Sequence, residues 1–153
     1  MKNLLFSLLA ISLLGSLTAC NKDGDSDNTY FEFKLDGADF KASGLLAYAT
    51  NFSDYFAIYG VKDQTSGETC YISLPKGTTA GTYDLDDSDH SGYYVNASSE
   101  AFSTNWGASS GTVTIEEIDE THVKGTFQFT AYDSGTESVK RVISEGKFNV
   151  KFR

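Results

Sequence analysis

The chain has one proline, one tryptophan, two cysteines and two histidines, and its basic residues are few. Each shortage excludes something. Two cysteines cannot build a disulfide framework or a cysteine-based metal site. The two histidines, His90 and His122, fall in different predicted loops, and a zinc site would need both plus a carboxylate. A single proline, Pro75, leaves the strand-like stretches unbroken; it sits at a strand exit, where a missing N–H does least harm. With 12 Lys and Arg against 21 Asp and Glu, the formal charge is −9. That surface repels phosphate backbones, so nucleic acid is excluded as a partner. Beyond residue 20 no apolar run approaches the length needed to span a bilayer.

The one long apolar run stands at the start. Lys2 precedes Leu4–Leu14 (LLFSLLAISLL), which has the length of a signal-peptide core and is too short for a transmembrane helix. Leu17-Thr18-Ala19-Cys20 follows and resembles the lipobox of bacterial lipoproteins. Small residues before the cut let an extended backbone enter the peptidase, and the Cys20 thiol takes the diacylglycerol. Residues 1–19 are therefore expected to be removed, leaving Cys20 lipidated. Each buried methylene contributes about 0.8 kcal/mol, so two or three acyl chains hold effectively permanently. Residues 20–29 form an acidic, polar tether that cannot bury surface. Acidic residues directly after the lipidated cysteine resemble the surface-export signal of Bacteroidetes lipoproteins. The resemblance implies a lipid-anchored outer-membrane protein exposed on the cell surface; the alternative is the periplasmic face.

Residues 30–153 have the size of one domain. Their dominant pattern is alternation of apolar and polar residues, with no sustained helical spacing. Phe31, Phe33 and Leu35 alternate with Glu32 and Lys34, and Asp36-Gly37 reads as a tight hairpin turn. Tyr55–Val61 and Thr69–Leu74 are β-rich segments joined by a polar turn. Val123–Tyr132 aligns Phe127, Phe129 and Ala131. At the C-terminus Phe148, Val150 and Phe152 alternate with polar residues, and Ser138–Ser144 is either a separate strand or the first half of the last one, bent at Gly146. Eight to ten short strands with turns every 8–12 residues predict an all-β antiparallel sandwich or flattened barrel; a lipocalin-like closed barrel is the alternative. Cys70 alternates with Ile72 and Leu74, as a small buried hydrophobe does.

The segments Gly111–Ile115, Gly125-Thr-Phe-Gln-Phe-Thr-Ala131 and Glu145-Gly-Lys-Phe-Asn-Val150 resemble a family of small Bacteroidetes all-β lipoproteins of unknown function. The resemblance implies a sandwich-like domain and carries over no functional residues.

Four local patterns invite chemistry. Gly107-Ala-Ser-Ser-Gly111 has the spacing of a nucleophile elbow, but that device needs a preceding strand and a following helix, and a strand is predicted to follow. Asp87, Asp89 and Ser91, with Gly92, copy the opening of a calcium loop; the closing position holds Ser98 where a glutamate belongs. Ca2+ is the only cofactor suggested, and a solvated acidic loop is the plainer reading. Asp23, Asp25 and Asp27 mimic such a loop more weakly. Tyr93, Tyr94, Phe102 and Trp106, near Asn96 and Asn105, could stack on sugar rings, although alternation turns some of these rings inward. No carboxylate pair with the spacing of a glycosidase can be singled out from sequence. These features favour a non-enzymatic surface module that binds a glycan, peptide or protein. A structural envelope lipoprotein without a small ligand is the second reading, and a glycan-processing hydrolase the third.

Lipidation gives the first test. Replacing Cys20→Ser is expected to move the protein from the membrane fraction to the soluble fraction. Intact-mass measurement of the wild-type product should show a mature chain beginning at an acylated Cys20.

Overall fold

The computed structural model describes residues 28–86 and 89–153. The leader, Cys20, the acidic repeat at Asp23, Asp25 and Asp27, and Asp87 lie outside the described residues. Eleven strands carry the fold: β1 Tyr30–Leu35, β2 Ala38–Ser43, β3 Ala47–Asn51, β4 Tyr55–Val61, β5 Thr69–Pro75, β6 Gly81–Asp84, β7 Ser91–Val95, β8 Ala101–Ser103, β9 Ser110–Ile118, β10 His122–Asp133 and β11 Lys140–Lys151. Among the described residues the only helical element is a single 3-10 turn, Gly44–Leu46.

Every strand pairing is antiparallel. The sheet runs β2-β1-β11-β10-β8-β7-β5-β4-β3, with β9 also on β10 and β6 on β9. The long strand β10 makes this possible. Residues Val123–Thr130 of it pair with β9, and its last two, Tyr132 and Asp133, pair with β8. The sheet thus folds into two layers: β2-β1-β11-β10-β9-β6 and β3-β4-β5-β7-β8. The far end nearly closes, because Phe152 bridges to Ala49 and the Arg153 amide donates to the Ala49 carbonyl at 2.9 Å. The result is a flattened, almost closed barrel.

Sequence accounts for most of these elements. Asp36 and Gly37 both have positive φ, 50° and 88°, the backbone of a tight type I′ hairpin whose twist matches its strands. Pro75 ends β5. The two candidate C-terminal segments are one strand, β11, whose register slips where it passes Phe127 and Phe129 of β10. The short β8, not expected from sequence, raises the strand number above the eight to ten anticipated.

The two layers meet in a mixed core of phenylalanine and aliphatic side chains, with Phe56 and Phe102 from the second layer and Val123, Ile143 and Val150 from the first. The first layer supplies phenylalanines: Phe31 meets Phe127 at 4.8 Å between centroids, and Phe33 stacks on Phe40 at 4.3 Å. The second supplies Ile58, Ile72, Leu74 and two glycines. A Cβ on Gly60 would lie 2.3 Å from the Phe31 ring, and one on Gly92 would lie 2.9 Å from the Phe129 ring. The layers touch through ring against bare backbone, a closeness that no side chain permits.

Two substitutions test this packing. Phe31→Ala is expected to cost about 3–5 kcal/mol through the cavity it leaves. Gly60→Val overpacks the same contact and is expected to cost about 1–3 kcal/mol. Equilibrium urea unfolding followed by Trp106 fluorescence reads both.

Candidate functional site

The five strands of the second layer contain no charged residue. The strands of the first layer carry Glu32, Lys34, Asp39, Lys41, Lys124, Glu145, Lys147 and others. On a protein with a formal charge of −9, an uncharged sheet face is the unusual surface; depletion of charge with enrichment of tyrosine marks contact surfaces.

Strand register builds the middle of that face. Tyr48 pairs with Tyr59, Tyr59 with Tyr71, and Tyr71 with Tyr93. Their inward neighbours are buried, so alternation sends all four rings outward, where they are half-buried. Ring centroids stand 5.1, 5.2 and 4.6 Å apart, with planes 20°, 30° and 9° from parallel. The outer two contacts are stacked and the middle one is tilted, repeated at the strand spacing of about 4.8 Å. Each ring covers part of the next, and each stays half-exposed to solvent. The register continues through Ser103, which is fully buried, to Tyr132 of β10. Small or uncharged side chains flank it: Thr50, Ser73 and the buried Ala57 and Ser91 on one side, Val61, Thr69, Val95 and Ala101 on the other. At one end the Arg153 guanidinium lies 4.9 Å over the Tyr48 ring. It also donates to the carbonyls of Leu45 and Gly44 at 2.9 and 3.1 Å. At the other end Asn105 donates to the Tyr93 hydroxyl at 2.9 Å and accepts from the Ser91 hydroxyl at 3.1 Å. The loop carrying Asn105 and Trp106 then rises over Tyr132: a Cβ on Gly107 would sit 2.8 Å from that ring. Phe52 and Tyr55, stacked at 4.5 Å, add a second exposed aromatic pair at the β3–β4 turn.

The four aromatics singled out from sequence therefore separate. Tyr93 is the last ring of the row, and Trp106 is half-buried on the loop at its end. Tyr94 and Phe102 are corrected to the interior, at 3% and 2% exposure. They occupy the inward positions of β7 and β8, where Tyr94 also donates its hydroxyl to the Glu68 carboxylate at 2.7 Å. Sequence reasoning missed Tyr48, Tyr59 and Tyr71. Their signal was a tyrosine at an outward position of each successive strand, which becomes a row only once register is known.

Of the calcium-loop residues, Asp89 precedes β7 and is exposed, and Ser91 is the buried first residue of β7, with its hydroxyl on Asn105. Among the described residues no group of three or more His, Cys, Asp or Glu could hold a metal. Ser109 of the Gly107–Gly111 pattern donates to the Thr104 carbonyl, and strand β9 follows it. His90 stacks on Tyr83 at 5.2 Å, whereas His122 opens β10 and bonds Asn149. Cys70 is fully buried, and burial raises its thiol pKa well above the usual range.

A concavity of about 800 Å³ opens at one barrel end beside Phe56, Lys76, Asp119, His122 and Phe152. Two of its acidic residues are already engaged: Glu117 pairs with Lys124 at 3.5 Å, and Asp119 closes a turn. One Asp119 oxygen accepts from the Thr121 amide and hydroxyl and the His122 amide, and the Thr121 amide foremost lowers its pKa.

A family model described as a domain of unknown function (DUF6252) matches residues 27–150. The chain belongs to that family. Comparison with curated proteins and with solved structures gives no match. The family brings no assigned site, so the tyrosine row stands on its geometry alone.

Two titrations follow. Burial first, then the neighbouring Tyr93 and Tyr59, pushes the Tyr71 pKa from 10.0 up to about 12. The folded protein holds this proton more tightly than the unfolded chain, so the associated stability is complete below pH 10.0 and falls as pH rises towards 12. Tyr71→Phe should remove the component of phenolate absorbance that titrates near 12. At the acid end, amides of Thr136 and Val139 hold Asp133 down to about 2 from 3.8. That stability is present above 3.8 and falls as pH drops towards 2, so Asp133→Ala should flatten the pH dependence of the melting temperature in this window.

Proposed function

We infer that this protein is a non-enzymatic binding module, held at a membrane surface by acyl chains on Cys20, that meets its ligand with the outer face of the second layer. The observation that carries this reading is the row of four stacked tyrosines on an uncharged face of an acidic protein. Tyrosine gives large, rigid contact area at low entropic cost, and the surrounding Ser, Thr and Ala residues let a ligand lie flat. Binding to such a face needs no deep cavity and no activated nucleophile. The lipobox and the acidic tether support a position on the outer face of the outer membrane, in a bacterium of the Bacteroidetes, where glycans, peptides and proteins are all available.

The test is retention. The domain without its leader and Cys20 should be retained on intact cells or envelope material. A double Tyr59→Thr and Tyr71→Thr variant should lose at least tenfold in retained protein, with its melting temperature kept near wild type. Threonine suits a strand, so the substitution removes the rings and spares the sheet. Equal retention of the variant and wild type would overturn the assignment of this face. Surface labelling of intact cells reports the membrane side: an unlabelled protein would overturn the surface position.

A further inference from the structure

We propose that the tyrosine row is an array of equivalent subsites for an uncharged, extended glycan chain lying across the strands, one sugar ring to each exposed tyrosine strip. This rests on the reading of the second-layer face as the contact surface and names its ligand class. Three observations favour a glycan over a protein.

The first is repetition. Tyr48, Tyr59, Tyr71 and Tyr93 stand at near-equal steps of 5.1, 5.2 and 4.6 Å. Identical side chains at identical steps suit a ligand that repeats, and a strand-to-strand step of about 4.8 Å is close to the advance of one pyranose residue in an extended chain. A protein surface offers no such repeat; it typically supplies a few anchors seated in pockets, and the row has no central pocket.

The second is chemistry. Each step offers an apolar strip of ring beside a hydroxyl. A pyranose presents the complementary pair: a C–H face and an equatorial hydroxyl. Amphipathic aromatic rings of this kind serve where one side of a partner is apolar and the other wet. Asn105, already bonded to Tyr93, adds an amide at the end of the row.

The third is charge. No strand of this layer carries a charged side chain, while the molecule as a whole has a formal charge of −9. An anionic polysaccharide would be repelled by the molecule and would find no cation along the row. The Arg153 guanidinium at one end of the row is spent on Tyr48 and two backbone carbonyls.

The experiment uses the soluble domain and neutral, unbranched gluco-, manno- and xylo-oligosaccharides of increasing length, with a uronic-acid oligomer for comparison, read by titration calorimetry. Affinity is expected to rise with each added sugar until the chain matches the four-ring row, and then to level off. The uronic-acid oligomer should bind at least tenfold more weakly. Tyr71→Phe should keep the stack and lose only a few-fold, whereas Tyr59→Thr with Tyr71→Thr should lose about tenfold or more. Thr126→Ala on the opposite layer should change nothing. Binding that does not depend on length, or that survives the double threonine variant, overturns the array. If none of these glycans binds while the double variant still loses retention on envelope material, the glycan inference falls and the contact face stands. If that retention is also unchanged, both fall.

Discussion

The contact of phenylalanine rings against bare glycine backbone is the constraint on which the rest of the structure depends. Phe31 presses on Gly60 and Phe129 on Gly92, at separations that no Cβ would permit. The inward glycines adjoin outward tyrosines: Gly60 follows Tyr59, and Gly92 precedes Tyr93. The backbone stretches clamped from below by phenylalanine are therefore those that carry two of the four stacked rings above. An interior packed to crystal-like density transmits position rather than absorbing it. Rigid support is what a row of side chains needs if it is to present equal steps to a ligand.

The two layers divide the remaining work. The first holds most of the buried phenylalanines, the β-bulges and all the strand charge, with surface pairs such as Lys34–Glu145 and Lys147–Glu32 at 3.1 Å each. Exposed pairs of this kind contribute little stability, but they keep that face hydrated. The second layer has none, and its outer surface is left to tyrosine, threonine, serine and alanine. A sheet face without charge invites edge or face association.

Much of the acidity serves the turns. Asp63 and Asp119 follow a strand and Asp133 ends one, and each accepts the amide and hydroxyl of a threonine two or three residues on. This local bonding replaces the backbone partners lost where a strand ends. Such aspartates resemble metal-loop or catalytic carboxylates in sequence, yet their depressed proton affinity has a turn-closing cause. One interior carboxylate differs: Glu68 is buried, bonded by Tyr94 and paired with Lys62 at 2.8 Å.

The sequence by itself determined the all-β class, the hairpin at Asp36-Gly37, the strand exit at Pro75, and the inward set of Phe31, Phe33, Phe127, Phe129, Phe148 and Val150. These follow from local rules: alternation of period two and the few residues that tolerate positive φ. The candidate site was half legible. Tyr93 and Trp106 were found as neighbours along the chain, but Tyr94 and Phe102 came with them, because closeness in sequence does not say which side of a strand a ring occupies. Tyr48, Tyr59 and Tyr71 were out of reach. They lie in three separate strands, and only the antiparallel register of β3, β4, β5 and β7 lines them up. The absence of charge was written in five scattered segments, each unremarkable alone. Only the folding of one continuous sheet over itself at β10 gathered those segments into a single face, because hydrogen-bonded register, a long-range property, decides which side chains become neighbours.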